Sequence, residues 1–533
     1  MSDNKSFLER RRSGISSAKI ATVIVMVGLI LSKGSGFIRD IVVSHRFDST
    51  YRDAFTLAFT IPDLFYNLII GGAVYSSIAP YMSGSLAVHE EKRGVRTISI
   101  FISVISVVMI IVCVFGTVFS EPLYQLYAMN KSKITPEILR LAASASKLLF
   151  PQIFFMMLAA LSMAILNAYR RFNHTALAPF IYNVFVILAI YFLAGNSENK
   201  LMMTTGGILL ASCIYFLYQY FVGFDKLKQF RFIFEPRDKE FIKLLKRALP
   251  IMFSTSVVQI NVIVLNYFAG DFGDGVIYAL RNASTIWQIP YGIFTVAIST
   301  IMTPNIAASY EAKRFKDTAN YLSSSLKSAL FIVIPCAGFM ALMSLDVVKA
   351  IYQWSSRYTD ENAKAASVFL VGYCFAIITH SVVHLYNQAF NSIGRTKIPL
   401  FAGCIGLISN PLVCIILIKL NAGPIALTIA YSVTSVLQML VLLFVYGRDK
   451  DIAPSGVIKS IAKSFLCVAV MGAAVFIVDH YLPGEGSKVM QLLIISLKGI
   501  VAVVFYFGFA LLLKMEEATY WINWSKEKIL RRK

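Results

Sequence analysis

The chain has 533 residues, of which 57% are hydrophobic and only 15% are charged, against roughly 25% charged residues in an ordinary soluble domain. This composition excludes a soluble globular protein, and seven cysteines inside apolar runs, without CxxC spacing, argue against a disulfide framework or a zinc site. The net charge of +21 lies mostly between the apolar runs, so no nucleic-acid partner is expected.

Apolar runs long enough to cross a bilayer follow one another along the chain. A spanning helix needs about 20 mostly apolar residues, and Gly, Pro and charge clusters divide the sequence into about fourteen such runs. An all-α polytopic membrane protein is therefore predicted. The spans lie near residues 18–44, 54–84, 97–120, 139–168, 175–194, 201–223, 244–268, 275–309, 321–345, 363–392, 397–418, 423–446, 457–479 and 489–513.

The first span carries charges inside an apolar run, in the stretch LILSKGSGFIRD. Lys33, Gly36 and Asp40 recur at i, i+3 and i+7 and so share one helix face, while Arg39 lies to one side of it. An ionisable residue at bilayer depth costs about 2.5 to 3.5 kcal/mol on insertion scales, which marks this face as a functional hypothesis. The alternative is an Arg39–Asp40 or Lys33–Asp63 ion pair that only holds helices together.

Spans two and eight add three more charged candidates. Asp53 stands at the outer end of span two and Asp63 lies within it, whereas Arg281 lies several residues inside span eight with no acid in its own helix. Together with Lys33 and Arg39, Arg281 would suit an anionic cargo, because the arginine fork binds phosphate in a bidentate way. These residues form the predicted substrate-binding set.

Two further features of the later spans have simpler interpretations. His380 and His384 in span ten are separated by i, i+4, the spacing of zinc-binding histidines, but no third ligand is indicated. Polar packing or a proton-sensitive contact is therefore preferred, and no metal or cofactor is predicted. Lys498 in span fourteen is expected to be paired or to reach the headgroups, whereas Lys147, near the end of span four, is expected to reach the headgroups and is given no function.

The distribution of basic residues predicts the orientation. Of the 50 Lys and Arg residues, 33 fall in the termini and alternate loops, 11 in the opposite loops and 6 within spans, which places both termini in the cytoplasm. The largest loop on that side, Asp225 to Arg247, has eight basic residues, and the C-terminal tail is also basic. Two explanations of this charge remain open. The basic residues can set the orientation of the protein in the membrane and attract anionic lipid, or they can dock a cytoplasmic partner.

The chain contains an internal repeat at a spacing of 224 residues. The stretch SSIAPYMSGSLAVHEEK recurs as TIMTPNIAASYEAKRFK, and the same spacing continues two spans later. The matched residues are Pro80 and Pro304, Ser85 and Ser309, Lys92 and Lys316, Asn167 and Asn391, and Arg171 and Arg395. We therefore predict two parallel six-helix lobes, residues 1–224 and 225–448, followed by a final helix pair and basic tail, residues 449–533.

The runs SKGSGFIRDIVVSHRF and DAFTLAFTIPDLFYNLIIGGAVYSSIAP resemble the signature of the MurJ/MviN family of lipid II flippases, within the MOP superfamily. Arg281, in its YALRN context, is similar to helix eight of that family. The resemblance implies alternating access around a cationic central cavity that takes the pyrophosphate–sugar head of an undecaprenyl lipid. It also implies that Arg39 and Arg281 are cavity arginines and that Asp40 and Asp53 are the family's acids.

The same resemblance implies a location in the bacterial cytoplasmic membrane. The expected partners are an undecaprenyl-linked lipid substrate, membrane lipids and, as a further expectation, cell-wall synthesis proteins. The chain departs from the family pattern at four places: Lys33 replaces an arginine, Tyr66 replaces another, Gly71 replaces an acid and Asp63 stands where Asn is common. One cavity arginine is therefore missing.

Four functions can be compared with these features. A lipid II flippase is the first hypothesis, and a flippase for another undecaprenyl-linked saccharide, of capsule, O-antigen or spore-wall type, is the second. A cation-coupled multidrug exporter would share the twelve-helix duplication but would leave the final helix pair and the cationic residues unexplained. A membrane enzyme would need catalytic carboxylates in outside loops, and these loops are short and lack an acid–base constellation, so no enzyme is predicted.

Overall fold

The computed structural model describes residues 28, 31–70, 78–127, 134–169, 171–354, 356–447, 455–483 and 486–519. Within these ranges the regular secondary structure is helical and contains no strand. The chain divides into two compact units, Met1–Ile263 and Val264–Lys533. Three features of the sequence lie outside the described residues: the start of the first predicted span, Gly71 and the basic tail beyond residue 519.

The first unit is built from long helices joined by short ones. Helix α1 comprises residues 31–46, and it is followed closely by α2. The remaining bounds are α2 Ser49–Ile69, α3 Ala79–Ala87, α4 Glu91–Val118, α5 Ser120–Tyr127, α6 Pro136–Ala168, α7 Phe172–Leu193, α8 Glu198–Val222, α9 Phe224–Leu227 and α10 Lys239–Ala269, whose last residues belong to the second unit.

The second unit begins with a helix that changes its hydrogen-bonding pattern. Helix α11, Val276–Pro290, continues through a π-helical segment, Tyr291–Val296, into α12, Ala297–Glu311. The helices that follow are α13 Phe315–Leu342, α14 Ser344–Tyr352, α15 Asp360–Ser392, α16 Lys397–Lys419, α17 Ala426–Gly447, α18 Val457–Tyr481 and α19 Lys488–Leu512.

Eleven helices of the described part are long and apolar enough to cross a membrane. They coincide with predicted spans three to six and eight to fourteen. The other three predicted spans correspond to α1, to α2 with α3, and to α10, in which Ile260–Ala269 is a shorter apolar helix. The fold is thus the predicted all-α polytopic membrane architecture, with eleven long apolar helices in the described part of the chain.

Several helices begin earlier than their apolar runs predicted. Helix α6 starts at Pro136 because the Thr135 hydroxyl accepts from the Ile138 amide at 3.4 Å and proline at the first position needs no hydrogen-bond acceptor. Likewise α4 starts at Glu91, before its apolar run. Hydropathy detects only the apolar part of a helix, whereas capping residues set its true end.

The 224-residue repeat is also present in the backbone. Helices α4 and α13 begin and end at residues separated by 224, and so do α6 and α15. The turns repeat as well, since His89 and Lys313 have φ angles of 59° and 58°. The amides that follow them bond to the carbonyls of Ser85 and Ser309, each at 2.8 Å. The two copies of the repeat therefore share local structure at these helices and turns, and not only sequence.

A proline in α2 is compensated by a neighbouring helix. Pro62 has no amide hydrogen, so it cannot bond to the carbonyl of Ala58 four residues earlier. The hydroxyl of buried Tyr124, on α5, lies 2.8 Å from Ala58 O and 3.0 Å from Leu57 O. Tyr124 thus supplies a donor to a carbonyl that would otherwise lose its partner, and it fixes α5 against α2.

Candidate functional site

The charged residues of α1 and α2 lie beside polar residues of α6 and α7 in the first unit. We call Arg39, Asp40, Asp63, Tyr66 and Tyr182 the charged cluster. Arg39 Nε and Nη2 each donate to Asp40 Oδ1 at 3.2 Å. The Asp40 side chain is 7% exposed and that of Arg39 is 27% exposed. The acid is therefore buried beneath a guanidinium that keeps part of its surface accessible.

Asp63 completes the cluster from α2. Asp63 lies close enough to interact electrostatically with the Arg39 guanidinium and with the neutral phenols of Tyr66 and Tyr182, and its backbone carbonyl accepts from the Asn67 side chain at 2.8 Å. Asp63, Arg39 and Tyr66 are half-buried. The cluster thus places one arginine in an ion pair with Asp40 and near a second acid, Asp63, which lowers the cost of keeping these charges within an apolar bundle.

Helix α7 is joined to the cluster by side-chain amides that the sequence analysis missed. Gln152 Nε2 donates to Tyr182 OH at 3.2 Å. The next residue, Asn183, donates through Nδ2 to Ser32 O at 3.0 Å and to Ser35 Oγ at 3.1 Å. The sequence could have pointed to these contacts, because Gln152 and Asn183 lie inside apolar spans and a buried side-chain amide must form hydrogen bonds.

Lys33 and Asp53 lie apart from the charged cluster. Lys33 is exposed, and no carboxylate of the described residues lies within ion-pair distance of it, so the Lys33–Asp63 pair does not form. Seven residues of helix span about 10 Å, so Lys33 and Asp40 reach different surroundings although they share a face. Asp53 is 1% exposed and stands ten residues before Asp63, about 15 Å along α2.

Arg281 lies in the second unit, in the second turn of α11. It is half-buried, and its backbone carbonyl accepts from Thr285 Oγ1 at 3.1 Å. The next residue, Asn282, is 1% exposed and donates to Tyr358 OH at 3.1 Å. A buried amide contact therefore fixes this turn of the helix.

The two histidines of α15 pack against the π-helical segment. His384 Nδ1 lies 3.0 Å from Tyr291 OH, and His384 Nε2 lies 3.0 Å from Ser299 Oγ. The Ser299 hydroxyl donates to Val296 O at 2.7 Å, so it accepts from His384, which places the ring hydrogen on Nε2. The His380 ring lies 5.1 Å from that of Tyr291 between centroids.

This arrangement agrees with polar packing. Among the residues that the structure describes, no group of three His, Cys, Asp or Glu side chains could hold a metal ion. Because two hydroxyl groups satisfy both nitrogens of His384, the ring ties α15 to the π-helical segment and to α12.

Lys498 is paired, which is the first of the two arrangements expected for it. Its side chain is fully buried, and Nζ donates to Asp346 Oδ2 at 2.9 Å and to Asp479 Oδ1. This ion-pair group joins α19 to α18 and α14. Lys147 instead forms an exposed ion pair with Glu121 at 2.9 Å. The hydrogen bond and positive charge of Lys147 hold the pKa of Glu121 below its ordinary value.

Comparison with known proteins identifies the family. Residues 43–497 match the family model described as "Lipid II flippase MurJ". The chain belongs to the lipid II flippase MurJ family. The match includes Asp53, Asp63 and Arg281 and begins just after Arg39 and Asp40. This membership makes the chain a multi-pass membrane protein of a bacterial transporter family.

Curated relatives share this family over most of their length. A protein of Rickettsia prowazekii (strain Madrid E), named "Probable lipid II flippase MurJ", is 23% identical over 513 residues, which cover 95% of this chain and 98% of the relative. A protein of the same name from Buchnera aphidicola subsp. Schizaphis graminum (strain Sg) is 25% identical over 388 residues, covering 71% and 74%.

Solved structures share the fold. The structure of "Lipid II flippase MurJ, inward closed conformation" matches with a TM-score of 0.76 and 24% identity, and covers 92% of this chain and 99% of that protein. An inward-facing multidrug resistance MATE family transporter of the MOP superfamily matches with a TM-score of 0.65 and 16% identity, covering 81% and 98%. The second match shows that this chain shares the helical fold of that transporter.

Proposed function

We propose that this protein translocates lipid II, the undecaprenyl-pyrophosphate-linked peptidoglycan precursor, from the cytoplasmic to the outer leaflet by alternating access. Family membership across residues 43–497 supports the cargo class. The observation that carries the proposal for this chain's own residues is the half-buried guanidinium of Arg39, held by Asp40 from one side.

The geometry of Arg39 suits an anionic head group. Arg39 donates to Asp40 through Nε and Nη2, while Nη1 of Arg39 makes no hydrogen bond within the described residues. A pyrophosphate oxygen can accept from Nη1 and from the second hydrogen of Nη2, so Arg39 can bind cargo without releasing Asp40. In this role Arg39 contacts the substrate and Asp40 is a positioning residue.

The remaining predicted residues have assigned roles within the proposal. Arg281 is a second phosphate-binding cation, and Lys33 is an exposed cation that attracts the head group. Asp63 balances the charge of Arg39 when no cargo is bound, because an arginine without a nearby acid is costly in an apolar bundle. Buried Asp53 supports the start of α2.

A second cargo is favoured by one observation. Tyr66 stands where the resembled family carries an arginine, and it lies in the charged cluster near Asp63. A phenol offers one donor and no positive charge, so this site binds phosphate less strongly than the family pattern implies. Another undecaprenyl-linked oligosaccharide, of capsule, O-antigen or spore-wall type, would keep the pyrophosphate contact with Arg39 while differing in its sugars.

The proposal includes an orientation and a division into lobes. Both termini lie in the cytoplasm of a bacterial cell, and lobes 1–224 and 225–448 precede the final pair in 449–533. The distribution of basic residues and the 224-residue repeat of helix bounds support these assignments. Cysteine labelling from one side of the membrane, at Lys92 and at Lys200, tests the orientation: only Lys200→Cys should react with an impermeant reagent added outside.

The central experiment compares cargo binding in matched variants. Native mass spectrometry of the purified protein with lipid II, with another undecaprenyl-pyrophosphate oligosaccharide and with neutral diacylglycerol would be run on wild type, Arg39→Ala and Arg281→Ala. The control is Arg140→Ala, an exposed arginine that pairs with Glu198 at 3.2 Å. We expect both site variants to lose the pyrophosphate lipids and the control to retain them.

The outcomes separate the hypotheses. Two results together would support lipid II as the cargo: the protein binds lipid II in preference to the other lipids, and a flippase-depleted strain grows when it expresses the wild-type protein but not when it expresses Arg39→Ala. Preference for the other saccharide without rescue of growth supports the second. Equal binding of diacylglycerol would overturn the proposed anionic site. Since transport makes no covalent change, lipid II should be recovered intact, and its cleavage would contradict a purely transporting role.

A further inference from the structure

The connection between α8 and α10 holds an extended segment against α4. After the short helix α9, residues 228–235 lack helical structure. The amide of Arg231 donates to Ser99 Oγ at 3.3 Å, and the amide of Ile233 donates to Ser103 Oγ at 2.9 Å. Two alternate amides thus anchor the segment to two successive turns of one helix.

The anchoring leaves two aromatic side chains exposed on the same side. Phe232 is 73% exposed and Phe234 is 51% exposed. In an extended chain residues i and i+2 point in the same direction, so the two rings project together from α4. Phe224, on α9, is also 48% exposed.

The four acids of this connection each form an ion pair or accept a hydrogen bond from a nearby residue. Asp225 pairs with Arg171 at 2.6 Å, and Glu235 pairs with Arg96 at 2.8 Å. Asp238 accepts from the amides of Glu240 and Phe241 at the start of α10. Glu240 itself lies 3.1 Å from Arg93 and 2.9 Å from Lys243.

Four cations of the connection are not neutralised in this way. Lys228, Arg231, Arg237 and Lys239 are exposed, and none lies within ion-pair distance of a carboxylate in the described part of the chain. With the two rings they form a surface that we call the interfacial strip. It combines a surplus of positive charge with exposed aromatic area, which is the composition of segments that bind anionic lipid surfaces.

The depth of the strip fits the boundary between headgroups and acyl chains. Arg96 is the last charged residue of α4, and the helix carries no further charge to Val118. Ser99 and Ser103 stand three and seven residues later, about 4.5 and 10 Å toward the apolar part of the helix. An extended backbone cannot lie deeper, because unpaired amides and carbonyls are not tolerated in the hydrocarbon region.

We propose that the interfacial strip, residues 228–239, binds anionic phospholipid of the adjacent leaflet, with Phe232 and Phe234 inserted at the acyl boundary and the four cations among the headgroups. Continuity with a membrane-spanning helix favours lipid over a soluble protein, because the segment is anchored at Ser99 and Ser103, where α4 enters its apolar run. The lipid contact fixes the α8–α10 connection to the membrane surface independently of the transported cargo.

The test uses the full-length protein in nanodiscs of phosphatidylcholine with either 0 or about 30% phosphatidylglycerol, a content that gives an anionic surface. Hydrogen–deuterium exchange would follow residues 228–239, and native mass spectrometry would count retained phosphatidylglycerol. The variant replaces the four cations of the interfacial strip with Gln. The matched control carries the same charge change at four exposed lysines of the second unit, Lys313, Lys316, Lys397 and Lys459.

We expect phosphatidylglycerol to slow exchange in the strip of wild type and of the control, but not in the strip variant. Lipid affinity should fall about fivefold for each cation removed. A Phe232→Ser/Phe234→Ser variant should keep the charge attraction but lose much of the protection. Equal exchange with and without phosphatidylglycerol would overturn the proposal. Protection by native membrane vesicles, but not by phosphatidylglycerol nanodiscs, would also overturn it and assign the strip to a protein partner.

Discussion

Arg39 contacts Asp40 through two nitrogens that converge on a single carboxylate oxygen, Oδ1, with both distances 3.2 Å. The repeat does not copy this pair: the positions 224 residues later are Ile263 and Val264. Asp63 likewise has Trp287 as its counterpart. The two copies of the repeat therefore share helix bounds and a turn but differ at these positions, where charged residues of the first copy correspond to apolar and aromatic residues of the second.

The shape of the Arg39 fork should matter beyond its charge. Arg39→Lys keeps the charge but has no planar fork, so lipid II affinity should fall about 10-fold to 100-fold, the value of a charge-assisted hydrogen bond. Asp40→Asn should weaken binding less, because Asp40 only positions the arginine. Titration by native mass spectrometry measures both. Unchanged affinity in Arg39→Lys would mean that the fork geometry is not used.

The contact between His384 and the π-helical segment should stabilise the second unit. His384→Phe removes two hydrogen bonds, each worth about 1 kcal/mol, and leaves Tyr291 and Ser299 with one partner fewer. Thermal unfolding in detergent should show the loss, whereas His480→Phe, at an exposed position near the end of α18, should not. Tyr291→Phe should lower the stability less when it is added to His384→Phe than when it is made in the wild-type protein, because the two changes remove the same hydrogen bond. Full additivity would contradict the assigned contact.

The buried ion-pair group of Lys498 should hold the final helix pair to α14. Lys498→Met leaves the two carboxylates without their cation and should cost about 1–3 kcal/mol, because the Asp346 and Asp479 side chains are 31% and 37% exposed and keep part of their hydration. The triple change Lys498→Met, Asp346→Asn, Asp479→Asn should recover most of the loss, because no charge is then left unpaired. Lys147→Met, which breaks an exposed pair, is the control and should leave the unfolding temperature nearly unchanged. Equal effects of the two lysine variants would contradict a special role for the buried group.

Close packing of α15 and α17 depends on a glycine. A Cβ at Gly372 would lie 1.9 Å from Thr428 Oγ1, and the Gly372 carbonyl accepts from Ser432 Oγ at 2.7 Å. Gly372→Ala should therefore force the helices apart and destabilise the protein by about 1–3 kcal/mol. At Gly499 an added Cβ would meet no neighbouring atom within 4 Å, so Gly499→Ala should be neutral or stabilising by up to about 1 kcal/mol. Thermal unfolding compares the two, and a stable Gly372→Ala protein would show that α17 can shift without cost.

Local features of the fold were predictable because local sequence sets them. The apolar runs gave the spans, since each helix satisfies its own backbone and needs only an apolar exterior to enter lipid. The repeat of 224 residues carried over to the N-caps Thr135 and Thr359 and to the turns at His89 and Lys313, because capping and turn geometry depend on a few adjacent residues. The charged positions Arg39, Asp63 and Arg281 were visible for the same reason, as exceptions in apolar runs.

Which polar groups meet was decided by the tertiary structure alone. The sequence placed Lys33 and Asp40 on one face, yet Lys33 is exposed and Asp40 is buried under Arg39. It gave no reason to join Gln152 to Tyr182, or Lys498 to Asp346 152 residues away. A helix face specifies which side chains point together, but the partner depends on how helices pack, and that packing is set by contacts distant in the chain. The sequence by itself therefore determined the membrane architecture, its duplication and the sites of charge, and the tertiary structure determined their pairing.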